Sequence, residues 1–139
     1  MPQVDLPTLK KMMDGHFPEY LGLTITHANA DMVRGELTVR KEICTMPMAV
    51  LHGGALMSLA DTLGAVATFL NLPPGAGTTT LESKTNFISA APIGTTVTGE
   101  CTPIHRGKST MVWQTRITTA EGDLIAIVTQ TQMLLQPRA

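Results

Sequence analysis

Apolar residues recur at three- and four-residue steps through the middle of the chain, at Leu56, Leu59, Leu63, Val66 and Leu70. At roughly 100° per residue those five side chains share one stripe, which predicts a helix from Gly53 to about Leu70. No proline interrupts it, and Asn71-Leu72-Pro73-Pro74-Gly75-Ala76-Gly77 supplies breakers at its end. Elsewhere the pattern has period two. Tyr20 to Ala30 and Met32 to Val39 predict two strands meeting at a tight turn near Asn29-Ala30-Asp31. Four more strands, rich in Thr, Val and Ile, are predicted at Thr78–Ile88, Thr95–His105, Lys108–Thr119 and Leu124–Leu135. Between them lie the turn signals Pro92-Ile93-Gly94, Arg106-Gly107 and Glu121-Gly122-Asp123. Leu6 to Met13, with Pro7 near its start, reads as a short leading helix. A long helix between a hairpin and a run of antiparallel strands predicts an α+β architecture, one antiparallel sheet curled around one helix. With no linker, internal repeat or low-complexity segment, the 139 residues read as one domain.

Against this pattern one polar position stands out. Asp61 lies almost directly opposite the apolar stripe, beside Ser58, Thr62 and Ala65, small or polar residues that let a ligand or a second subunit come close. Gly53 and Gly54 open the same helix, where unpaired backbone N–H groups and the positive end of the dipole suit a developing oxyanion. A carboxylate inside an otherwise apolar helix costs free energy unless something uses it. Together these features suggest a hydrolytic site. Each also has a plainer reading, with Asp61 capping a neighbouring element and the glycines merely permitting close packing.

Composition narrows the class. Charged residues make up 15% of the chain, against a usual figure of about 25%. Mean hydropathy is +0.14. Both fit a subunit that buries much of its surface in an oligomer. A net charge of −1 at pH 7 argues against a nucleic-acid partner. Nothing at the N-terminus reads as a basic region followed by an apolar one, so no secretion signal is expected, and His52, Asp61, Asn71 and the flanking glycines and prolines argue against a membrane span at Val50–Leu72. Cys44 and Cys101 lack metal-type spacing and read as reduced residues of a cytoplasmic protein. The four histidines do not cluster with carboxylates at ligand spacing, so neither a metal nor a cofactor is expected.

The order of elements, with Leu51-His52-Gly53-Gly54 opening the helix, Leu59-Ala60-Asp61 inside it and Asn86-Phe87-Ile88-Ser89 beyond, resembles the hotdog-fold acyl-CoA thioesterases. The similarity covers about residues 15 to 135 and is greatest to the phenylacetate-degradation and 4-hydroxybenzoyl-CoA type. It implies hydrolysis of an acyl-CoA or aryl-CoA thioester to free coenzyme A and a carboxylic acid. By that resemblance the Gly53 N–H polarises the carbonyl, and Asp61 activates water or attacks as nucleophile. His52 matches the motif histidine that holds the loop and thioester in position, with Gly54 beside it in the substrate cleft. Thr80 falls where relatives carry a Ser or Thr that orients the water, although β-branching alone also explains a strand residue there. Met46 departs from the pattern, because relatives often place an amide six residues before the motif histidine and a thioether supplies no donor. Met46, Met48 and Met57 suit either an adaptable acyl pocket or core filling.

Helix geometry adds an expectation of its own. Gly53 and Asp61 are eight residues apart, about 12 Å along one helix axis. That is too far for both to act on one carbonyl, whereas two antiparallel copies across a twofold bring Gly53 of one beside Asp61 of the other. A homodimer with two shared sites is expected, paired into a homotetramer as is common in the family. Coenzyme A phosphates require cations, for which Arg106 and Lys108 flanking Gly107, and also Lys84 and Arg138, are candidates. Gly15-His16-Phe17-Pro18 resembles a dehydratase motif but precedes the first strand rather than the long helix. The alternatives on this fold are a hydratase or dehydratase and a non-catalytic acyl-CoA-binding module.

Overall fold

The computed structural model describes residues 4–138. Six strands form one antiparallel sheet, β1 (Thr24–Ala28), β2 (Val33–Thr38), β3 (Gly77–Phe87), β4 (Thr96–Arg106), β5 (Thr110–Thr119) and β6 (Leu124–Leu135). Their spatial order is β1-β2-β4-β5-β6-β3, so the strand that follows the long helix becomes an edge. The described residues also form three α-helices, α1 (Leu6–Met13), α2 (Phe17–Leu21) and α3 (Gly53–Phe69). This is the hotdog fold, with α3 packed on the sheet through β2 to β6.

The helix can lie this close because two facing strands give up their side chains. Gly35 on β2 pairs with Gly99 on β4. A Cβ at Gly35 would stand 2.9 Å from a Leu63 methyl, and one at Gly99 would stand 2.7 Å from the other. Leu63 therefore sits on bare backbone, fully buried, with Leu59, Val33, Val97 and Ile117 around it. Trp113, also fully buried, donates from Nε1 to Thr68 Oγ1 at 2.8 Å, and Thr68 donates in turn to Gly64 O. That ties β5 to the second half of α3.

The buried face of α3 is wider than the five-residue stripe. Ala55, Ala60, Gly64, Ala67 and Thr68 are buried alongside Leu56, Leu59 and Leu63, whereas Val66 and Leu70 are only partly so. A curled sheet wraps more of the helix than a flat layer does, so small residues join the core face. At the N-terminus, α1 has the predicted bounds, capped by Asp5, which accepts from Thr8 N at 2.9 Å. The strand expected from Tyr20 does not start there. Phe17–Leu21 is a short helix ending at Gly22 in the left-handed region, with φ 89°, and β1 begins at Thr24. A further 3₁₀ turn covers Lys41–Ile43. Among the described residues no helix is long and apolar enough to cross a membrane.

Candidate active site

The mouth of α3 is capped by His52 in a specific way. Its carbonyl accepts from Ala55 N and Leu56 N, and its ring Nδ1 accepts from Gly54 N at 2.8 Å. An accepting Nδ1 puts the proton of the neutral ring on Nε2, which leaves the exposed edge of His52 a donor. Gly53 N–H is then the first-turn donor with no acceptor among the described residues. It lies at the positive end of a 17-residue helix. A Cβ on Gly53 would come 3.0 Å from the Phe87 ring, so β3 runs past this mouth.

Asp61 lies two turns further on, half-buried, at the end of a chain of directed hydrogen bonds. Thr80 Oγ1 donates to Asp61 Oδ1 at 2.7 Å. A carboxylate only accepts, so the one Thr80 proton is used there and Thr80 must accept from Gln132 Nε2, at 2.8 Å. That fixes the Gln132 amide, whose Oε1 faces the Thr78 hydroxyl at 3.1 Å. Gln130 adds a longer donor to the same Asp61 oxygen, Nε2 at 3.4 Å. Asp61 Oδ2 has no hydrogen bond among the described residues. One carboxylate oxygen is thus held in place while the other stays uncommitted.

Strand register explains how these residues meet. Thr80 is opposite Gln132 in the β3–β6 ladder, and a bulge follows between Thr80 and Glu82. Before the bulge Thr78 and Thr80 are the more buried positions; after it the buried phase moves to Ser83 and Thr85. Gln130 and Gln132 are both buried to 1% exposure or less. A Cβ on Gly64 would fall 2.2 Å from the Gln130 amide carbon, so the glycine provides the space that amide occupies.

Cavities border α3 at two places among the described residues. Near its mouth, Phe17, Tyr20, Ile43, Cys44, His52 and Ser58 are among the residues lining about 240 Å³. Beside Asp61, about 330 Å³ lies between α3 and the α1 segment. The two cysteines are unpaired, and burial pushes the Cys101 thiol up to about 11.

The remaining sequence candidates fall in different places. His52, Gly53 and Gly54 form the helix mouth, while Asp61 and Thr80 meet two turns away. Met46 is almost fully exposed and Met48 and Met57 are also exposed, so none of the three fills the core. Arg106 bonds to Ala30 O and Asp31 Oδ1, both at 2.9 Å, beside Asn71 at the opposite end of α3 from Gly53. Lys108 is exposed in the β4–β5 turn, and Lys84 lies on the outer side of β3 and donates to Asn86. Sequence reasoning missed Gln130 and Gln132. Their signal was available as two amides at alternate positions between Val128 and Leu134, the buried phase of an otherwise apolar strand.

Comparison with known proteins adds independent findings. A family model of the thioesterase superfamily matches residues 48–126. The 1,4-dihydroxy-2-naphthoyl-CoA hydrolase of Escherichia coli (strain K12) is 30% identical over 122 residues, covering 88% of each chain. A proofreading thioesterase of Cronobacter sakazakii is 30% identical over 117 residues, 84% of each. Among solved structures, a thioesterase from Haemophilus influenzae superposes with a TM-score of 0.90 at 28% identity, covering 96% of this chain and 92% of that one.

Proposed function

Because the chain belongs to the thioesterase superfamily, and is therefore an enzyme that hydrolyses thioesters, we propose that its substrate is an acyl-CoA or aryl-CoA ester cleaved at a site shared between two subunits. In this reading the Gly53 N–H and the α3 dipole polarise the thioester carbonyl. The Asp61 carboxylate, supplied by the other subunit, draws a proton from water or attacks the carbonyl carbon itself. With Asp61 as base, the water oxygen forms the new C–O bond, the C–S bond breaks, and the coenzyme A thiolate takes up the proton that Asp61 accepted. With Asp61 as nucleophile, the C–S bond breaks to leave an acyl anhydride on Asp61, which water then hydrolyses to the carboxylic acid and the free carboxylate. His52 Nε2–H is a further donor at the mouth, and Thr80 orients Asp61 through Oδ1.

The observation that carries the reading is the division of labour on α3. The free N–H and the uncommitted carboxylate oxygen lie on one helix eight residues apart, about 12 Å along its axis. Edge strand β3 supports the twofold. Antiparallel pairing of β3 with its copy extends the sheet and sets two α3 helices side by side, head to tail. The same arrangement carries Arg106 and Lys108 of one chain toward the helix mouth of the other, within the region where coenzyme A phosphates require cations. Pairing of such dimers gives the homotetramer.

Subunit complementation tests this directly. Gly53→Pro deletes the N–H at the first helical position, where proline suits the backbone, and its added Cβ requires only that the exposed Phe87 ring give way. His52, at φ −64° and ψ 137°, already has the extended conformation that a residue before proline requires. Gly53→Pro and Asp61→Ala should each abolish thiol release from a panel of acyl-CoAs, acetyl to palmitoyl with phenylacetyl and benzoyl esters. Co-refolded in equal amounts they should regain about a quarter of the wild-type sites, since half the dimers are mixed and each mixed dimer holds one intact site. No recovery, with mixed dimers demonstrated by sedimentation and mass, places both groups in one chain and refutes the shared site.

A further inference from the structure

The cavity beside Asp61 has a lining that specifies what enters it. Leu9, Met12 and Met13 from α1, with Pro18, face Ala65, Val66 and Phe69 from α3 across about 330 Å³. Beyond the Asp61 carboxylate, the one polar side-chain group among the liners is the Thr62 hydroxyl. It already donates back along the helix to Ser58 O at 2.8 Å. No lining side chain has an N–H, and no O–H is free to reach into the cavity.

We propose that this cavity is the acyl pocket, that it selects an unsubstituted aliphatic chain of medium length over a hydroxylated aromatic acyl group, and that Met12 and Val66 set the length. The inference rests on the thioesterase reading above, since it is Asp61 at the cavity's edge that connects the pocket to the reacting carbonyl. Volume sets the scale. At about 30 Å³ for a water-sized group, 330 Å³ holds on the order of ten heavy atoms. That corresponds to a chain of roughly eight to ten carbons. Unbranched methionines on an outer helix adapt to a flexible chain better than to a rigid ring. Within one chain, a phenolic hydroxyl placed against this lining meets no N–H donor and, as acceptor, only the Asp61 carboxylate, the group that has to remain available for reaction. Met12 lines the cavity and is 51% exposed, so it lies on the solvent side and can be changed without disturbing the core.

The test is thiol release from straight-chain esters of two to sixteen carbons, alongside 4-hydroxybenzoyl and hydroxyphenylacetyl esters. It uses the full chain as wild type, Met12→Ala and Val66→Phe. Wild-type kcat/KM should rise toward eight to ten carbons and fall beyond, with the hydroxyaryl esters about 10²-fold below the best chain. Val66→Phe fills the pocket and should lower the octanoyl-to-butyryl ratio of kcat/KM at least tenfold, whereas Met12→Ala opens it and should move the optimum to longer chains. Should Val66→Phe fail to fold, the Met12→Ala shift decides alone. Hydroxyaryl esters matching the best aliphatic chain, or a length profile that neither variant moves, overturn the proposal while leaving thioester hydrolysis intact. Variants that change the sedimentation coefficient but not the length profile assign the cavity to a second copy of the chain and overturn it too. No thiol release from any ester is a different result, and it removes the shared-site reading itself.

Discussion

Replacing Thr80 by valine isolates the hydrogen-bond chain that ends at Asp61. Valine keeps the branched shape but has no hydroxyl, so two bonds go at once. Asp61 Oδ1 loses its 2.7 Å donor and retains only the 3.4 Å contact from Gln130. Gln132 Nε2, buried with no exposure, loses its acceptor at 2.8 Å. An orphaned buried donor costs about 1–3 kcal/mol, and a bond to a charged group is worth about 1.5–3 kcal/mol. Asp61 is only half-buried, so water recovers part of the second term. The expected loss of stability is about 2 kcal/mol, read as a lower urea midpoint at constant slope. If the freed carboxylate also loses about 1.4 kcal/mol of positioning in the transition state, kcat/KM falls about tenfold. Thr80→Ser, which restores a donor and an acceptor at Oγ, should recover most of both. A valine variant with the wild-type urea midpoint and wild-type turnover would refute the argument, because the chain would then neither stabilise the fold nor hold the carboxylate.

Gly64→Ala gains about 1 kcal/mol of helix propensity yet should destabilise the protein, because its Cβ takes the space of the buried Gln130 amide. In a Gln130→Ala background the same substitution should become stabilising, a sign change that a double-mutant cycle in urea reads directly. Cys101 gives a pH prediction. Its folded-state value, raised by burial from 9.0 to about 11, means that the folded protein binds more protons across that window. Stability is therefore full below pH 9 and declines as pH rises toward 11, by up to about 3 kcal/mol. Cys101→Ala should remove that share of the alkaline loss, and an identical alkaline slope in both proteins would contradict it.

The parts of this molecule that the sequence displayed are those coded locally. Helix α3 was readable because a glycine pair opens it, a 3.6-residue pattern runs through it and a proline-glycine run ends it. The strands β3 to β6 were readable from alternation and turn residues, each to within two residues of its bounds. Helix α2 was not, because five residues are too few to show a period and Phe17, Tyr20 and Leu21 suit the start of a strand equally well. Its one local sign was Pro18 inside the first turn with Gly22 four residues later. At the site, Asp61 was marked by its isolation on an apolar helix. The glutamines that organise it are 69 and 71 residues further along. They reach it only through the β3–β6 register, which no local pattern reports.

The bulge between Thr80 and Glu82 makes residue count in β3 a property in its own right. Because a strand alternates faces at every step, one extra residue reverses the phase of everything beyond it. Thr80 can therefore turn toward Asp61 while Phe87, seven positions on, still covers Gly53. Substitutions at Leu81 change one exposed side chain. Deletion of the same residue would turn either Thr80 or Ser83, Thr85 and Phe87 away from α3, separating the carboxylate's support from the cover of the helix mouth. Homologues that diverge freely in the letters of this strand should nonetheless keep its length.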